Sequence, residues 1–142
     1  MPSAQHSITI RRPVGDVFRF VADGENAKQW RPGVLDVSHQ SGDGLGAVYR
    51  QGVKGPGGRR IAADYEVTAF EPDRRIGFQA IAGPVRPHGE YRFTTDGDAT
   101  TVSLALDATV TGWKRLVMGR AVQSTMDSEV RNLDTLKSIL EA

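Results

Sequence analysis

The period of the apolar positions changes along the chain, and each change predicts an element. Ser7-Ile8-Thr9-Ile10 alternates polar with β-branched apolar residues, which predicts an opening strand with one buried face. Pro13 ends it. Val14, Val17, Phe18 and Val21 then recur at helical spacing and predict a short amphipathic helix that stops near Asp23-Gly24. A second short helix runs through Asn26 to Trp30 and is closed by Pro32. From Val34 to Phe93, apolar runs are separated by turn chemistry at Ser41-Gly42-Asp43-Gly44, Gly55-Pro56-Gly57-Gly58, Pro72-Asp73 and Gly83-Pro84. These runs predict strands over 34–39, 47–53, 61–70, 76–82 and 89–94. Asp96-Gly97-Asp98 reads as a hairpin turn into a last strand over 101–110, where Val102, Leu104, Leu106 and Ala108 share one parity. Strands this close in sequence pair antiparallel. From Trp113 to Leu140 there is no proline, and Val122, Met126, Val130, Leu133, Leu136 and Leu140 fall on one arc at roughly 100° per residue, which predicts a long final helix facing the sheet.

A length of 142 residues is that of one ordinary domain with one core, so a single domain over 1–142 is expected. Apolar residues at 39% and charged residues at 25% set the chain apart from disordered, collagen-like and membrane classes. The formal net charge of +1 supplies no one-signed field for a polyanion, so nucleic acid is not an expected partner. Arg11-Arg12, Arg59-Arg60 and Arg74-Arg75 are no exception, because neighbours on a strand point to opposite faces. The absence of cysteine excludes disulfides, thiolate catalysis and cysteine-bound zinc. No leader pattern opens the chain and no stretch approaches the roughly 18 apolar residues of a membrane span, so no integral membrane segment and a cytoplasmic location are expected.

The order of strand, two short helices, antiparallel strands and a long final helix is that of the helix-grip fold. Three stretches sharpen the likeness. Ile10-Arg11-Arg12-Pro13-Val14-Gly15-Asp16-Val17-Phe18 with Ala22 to Val34 resembles the opening of the polyketide cyclase/dehydrase-like group of the START and Bet v 1-like superfamily. Glu66 to Ile76 resembles that group's central hairpin, and Gly83 to Phe93 with Arg131 to Glu141 resembles its last third. The resemblance covers essentially the whole chain and implies an α+β fold, an antiparallel sheet curved around the C-terminal helix, with a cavity between them. The superfamily includes lipid carriers, hormone and pigment binders, polyketide cyclases and protein-assisting modules, so function must be argued from the site.

Strand alternation picks out the cavity wall. The face carrying Ala63, Tyr65, Val67, Ile76, Phe78, Ala80, Gly89, Tyr91, Phe93, Leu104 and Leu106 is the more apolar and is expected to point inward. Tyr65 and Tyr91 bring hydroxyls to that face, which a ligand, solvent or a backbone carbonyl could satisfy. Tyr49 and Gln51 share the inward parity of their strand, although a bulge could switch faces. Trp30 could cap the entrance, but a core plug is the favoured reading. On the final helix the arc continues through Met118, Gly119, Val122 and Met126, with Gly119 leaving space. Glu129 projects beside that arc, where its carboxylate would be either snorkelled to an edge or buried. Asp64, Glu66, Glu90 and Arg92 fall on the opposite, solvated face. His6, His39 and His88 are scattered, and no nucleophile triad order, phosphate loop, dinucleotide fingerprint or HExxH helix occurs, so no metal or nucleotide cofactor is expected.

Three functions compete. The favoured one is binding of a small apolar or aromatic, lipid-like or polyketide-like molecule by a monomer or homodimer. The alternatives are a cyclase/dehydratase-type enzyme using the same cavity and a co-chaperone-like module. Binding is preferred because the inner face offers few convergent ionisable groups; an inward cluster of Glu129 with Arg or His would reverse that preference.

Overall fold

Burial alternates residue by residue along β1 (Ser3–Ile10), as its sequence does, and ends at Ile10, which is fully buried. In the computed structural model, residues 3–83, 85–108 and 113–142 are described, with the side chains of Pro56 and 113–119 left aside. After Pro13 comes helix α1 (Val14–Ala22), which buries Val17, Phe18 and Val21. Asp23 accepts from the Glu25 backbone N–H and caps a short 3-10 turn over Gly24–Asn26, which runs into α2 (Ala27–Trp30). These helices carry the chain from one edge of the sheet to the other. The remaining strands then return: β2 (Val34–Ser41), β3 (Val48–Lys54), β4 (Arg60–Ala62), β5 (Tyr65–Glu71), β6 (Arg75–Ala80), β7 (His88–Asp96) and β8 (Ala99–Asp107). The order is β1-β8-β7-β6-β5-β3-β2, with β4 also on β3, and every pairing is antiparallel. The β7–β8 hairpin closes between Asp96 and Ala99 with Gly97 at φ 63°, a conformation glycine adopts without a Cβ clash.

Two of the expected elements are each divided in two. The run 61–70 is two strands, because at the junction Ala63 donates to the Gln51 carbonyl (2.8 Å) while the Asp64 carboxylate accepts from the Gln51 N–H (3.1 Å). A side chain thus replaces one rung of the ladder, and Asp64 has a structural use beyond solvation. The final helix is interrupted once, between α3 (Trp113–Arg131) and α4 (Leu133–Leu140). Asn132 donates its N–H to the Glu129 carbonyl (3.1 Å), a tight three-residue step, and its side-chain amide to the Glu129 carboxylate (3.2 Å). The expected last strand ends at Asp107, and Thr109 and Val110 lie outside the described residues.

The predicted apolar arc is the contact face of the final helix. Met126, Val130, Leu133 and Leu136 are buried, with Val122 and Leu140 packed beside them. Both α3 and α4 lie against β1, and α3 reaches β8. At one end of the core Phe18 meets Phe70 and Phe93 edge-on, at 5.4 and 5.1 Å between ring centroids. Phe70 reaches that face because β5 is bulged between Val67 and Ala69, which shifts its parity. On the outer face Glu90 pairs with Arg75 and Arg92, both at 3.0 Å.

Candidate functional site

Between the sheet and α3 lies a cavity of about 350 Å³, near the lower end of the roughly 300–1,000 Å³ typical of small-molecule sites. Its sheet wall consists of the inward parity set: Tyr65, Val67, Ile76, Phe78, Ala80, Tyr91, Leu104 and Leu106, extended by Tyr49, Gln51 and Val53 of β3. The helical wall is Val122, Thr125, Met126 and Glu129 of α3, and Val21, Ala27, Trp30 and Arg31 close the end under α1 and α2.

The aromatic side chains form a continuous series. His39 stacks on Tyr49 at 5.0 Å and Tyr49 on Tyr65 at 5.1 Å. Tyr65 meets Phe78 at 5.9 Å, Phe78 meets Tyr91 at 5.7 Å, and Tyr91 meets Trp30 edge-on at 6.2 Å. Two glycines make the series fit. A Cβ at Gly89 would lie 2.5 Å from both Phe78 and Leu106, so the missing side chain is what lets Phe78 cross β7. A Cβ at Gly24 would lie 2.3 Å from the Tyr65 hydroxyl, so Tyr65 and Tyr49 close over bare backbone.

One polar cluster interrupts this apolar lining. Arg31, just past α2, pairs through Nε with the Glu129 carboxylate of α3 and donates from Nη1 to Gln51 Oε1 (3.2 Å). Gln51 in turn donates to the Ala63 carbonyl (3.3 Å), and Asn132 holds the other Glu129 oxygen. The network runs from the helix interruption, across the cavity end, to the strand junction on the sheet. Arg31 and Glu129 keep 17% and 23% of their side-chain exposure, so they are neither free in solvent nor sealed. Burial alone would lower the Arg31 pKa; Glu129, with Tyr91 and Tyr65, opposes this and leaves it raised. Burial pushes the Tyr91 hydroxyl up to about 12 and raises that of Tyr65 further, with Arg31 partly opposing both shifts. Both phenols are therefore protonated at neutral pH, and no hydrogen bond from the described residues contributes to either shift. Burial also raises Tyr49, against a bond to the Gly24 backbone.

The structure brings Trp30, Tyr49, Gln51, Tyr65, Phe78, Tyr91, Val122, Met126 and Glu129 to one cavity. Trp30, 3% exposed, is buried in the core and also lines the cavity. Met118 and Gly119 fall in 113–119, the part of α3 for which only the backbone is described. Glu129 is held in the cavity wall by a cation. That cation, Arg31, was missed. Its sequence signal was the need of an arc-facing carboxylate for a partner, which does not say which arginine supplies it.

A family profile described as polyketide cyclase / dehydrase and lipid transport matches residues 1–141. No curated protein matches the chain by sequence. Among solved structures, TTHA0849 from Thermus thermophilus is similar with a TM-score of 0.84 at 22% identity, covering 98% of this chain and 97% of that one. The Zhui aromatase/cyclase from Streptomyces sp. R1128 is similar with a TM-score of 0.74 at 20% identity, covering 98% and 90%. A START superfamily protein from Mycobacterium smegmatis gives 0.76 at 15% identity, covering 98% and 97%. At these identities the likeness is one of fold.

Proposed function

The chain belongs to the polyketide cyclase / dehydrase and lipid transport family, and we propose that its cavity binds a small, largely aromatic molecule whose oxygen-bearing end rests against Arg31. The observation that carries this reading is the division of the lining into an aromatic series and one polar cluster. Apolar surface supplies affinity, and a few placed polar groups fix orientation. Tyr65 and Tyr91 would complete their hydrogen bonding with the ligand, as buried phenols require a partner. Trp30, Tyr49, Phe78, Val122 and Met126 supply the apolar contact. Native mass spectrometry of freshly purified protein tests it: a copurifying aromatic molecule, lost from the Tyr65→Phe/Tyr91→Ala double variant, is the expected result, and a ligand retained by that variant places the site elsewhere.

The Arg31–Glu129 pair supports a second reading, in which the bound ligand is also transformed, since an inward ionisable cluster is what general acid–base chemistry uses. In that second reading a C–H bond next to a ligand carbonyl breaks, its proton passes to the Glu129 carboxylate, and the electron pair moves to the carbonyl oxygen facing Arg31. The site's total charge stays constant through the step. Deuterium exchange into the methylene of a 1-aryl-1,3-diketone, followed by NMR, tests it. Exchange faster than buffer for the native chain but not for Glu129→Gln is expected, and equal rates for both proteins reject catalysis of this kind.

A further inference from the structure

We infer that the polar end of the cavity selects neutral phenols and ketones against carboxylates of the same size. The inference deepens the binding reading above and rests on it. Four charged side chains among the described residues border the cavity: Asp23, Arg31, Lys54 and Glu129. Asp23 and Lys54 are exposed, and Asp23 is occupied as the cap of the Glu25 N–H. The interior charge is therefore that of Arg31 and Glu129 together, which is zero. A guanidinium has five N–H donors; among the described residues Nε is taken by Glu129 and one Nη1 hydrogen by Gln51, which leaves the others for a ligand oxygen.

A neutral phenol or ketone uses those donors and the Tyr65 and Tyr91 hydroxyls without changing the charge of the site. A phenol can also donate to Glu129. A carboxylate has to share Arg31 with Glu129 and brings a second negative charge next to the first, in a wall too apolar to screen it. For Glu129 to swing away and relieve this, its bond from the Asn132 amide (3.2 Å) has to break. An arginine alone in this position would prefer the anion; the arginine already matched by Glu129 does not.

Three naphthalene compounds separate the cases: 2-naphthol, 2-acetonaphthone and 2-naphthoate, each titrated by calorimetry at neutral pH, where the last is ionised. Naphthol and acetonaphthone are expected to bind at least tenfold more tightly than naphthoate. Glu129→Gln keeps the shape and an acceptor oxygen but removes the charge, and is expected to raise naphthoate affinity relative to that of the ketone at least fivefold. Naphthoate binding the native chain as well as the neutral pair overturns the inference, as does an unchanged ratio in a Glu129→Gln variant that melts cooperatively. If Glu129→Gln fails to fold, Tyr91→Phe serves instead, and it should weaken the neutral ligands while leaving the order of preference intact; a reversed order rejects the inference. If none of the three compounds binds the native chain, the binding reading itself fails and the selectivity with it.

Discussion

Tyr65 lies flat on Tyr49, their ring centroids 5.1 Å apart and their planes 12° from parallel. Both close over Gly24, where any Cβ would fall 2.3 Å from the Tyr65 hydroxyl and 2.7 Å from the Tyr49 ring. Tyrosine rings cannot give by that much without moving as units. Gly24→Ala is therefore expected to cost about 1–3 kcal/mol, as overpacking does, and to weaken aromatic ligands. Urea denaturation and ligand titration on the same sample check both effects, and an unchanged midpoint would mean that the stack shifts freely.

Arg31→Met leaves Glu129 half-buried without its cation. Allowing for the residual exposure of both groups, the expected loss is about 1–3 kcal/mol. Adding Glu129→Leu should recover most of that stability, since an ion pair replaced as a whole by apolar side chains is often neutral. Ligand affinity should not return. Melting curves of the single and double variants measure the recovery, and a double variant no more stable than Arg31→Met would mean that packing of the arginine stem is what counts.

Tyr65→Phe and Tyr91→Phe each remove a hydroxyl to which no hydrogen bond is assigned among the described residues. Stability should change by less than about 1 kcal/mol, while a bound oxygen-bearing ligand should lose about 1 kcal/mol of affinity per hydroxyl. Matched calorimetry and thermal melts distinguish this from a structural role, which would lower the melting temperature first.

Leu133 is fully buried at the start of α4. Leu133→Ala is expected to cost about 2–5 kcal/mol with little change in the affinity of the folded fraction, because Leu133 is not part of the cavity wall. Denaturant unfolding and titration at low temperature give the two numbers separately.

Glu141 accepts from Lys137 Nζ (2.7 Å) and from the Arg11 backbone N–H (2.8 Å). These bonds lower its pKa from 4.5 to about 2, with Lys137 the larger influence. The unfolded chain then takes up this proton more readily than the folded one, so the stabilisation is complete above pH 4.5 and disappears as the pH falls towards 2. Glu141→Gln should flatten the dependence of the urea midpoint on pH across that window, and a parallel curve would remove Glu141 as its source.

The fold was legible because its rules are local. Alternation in 89–94 and 101–110 and the arc from Val122 to Leu140 each fix a face with no knowledge of the partner. The inward tyrosines followed from the same parity. What escaped depends on geometry between distant segments. Arg31 is 98 residues from Glu129, and it stands beside a proline in a stretch whose pattern marks only a helix end. The split after Ala62 depends on Asp64 reaching one backbone N–H of a neighbouring strand, and polar-face alternation looks the same whether a carboxylate does this or meets water. The interruption at Asn132 was likewise masked by an apolar arc that continues through it.

The first strand and the final helices, with the residues just beyond them, are fastened to each other along their length: Ser3 to Gln123, His6 to Asp134, Thr9 to Lys137 and Arg11 to Glu141. These contacts join segments at least 120 residues apart, and β1 completes its sheet only by pairing with β8. Such closures demand chain entropy before they return any contact, which makes folding slow for a chain of this size. A ligand that needs the helical wall of the cavity can bind only once these closures are made, so any stabilisation it gives is expected to slow unfolding and to leave the rate of folding unchanged.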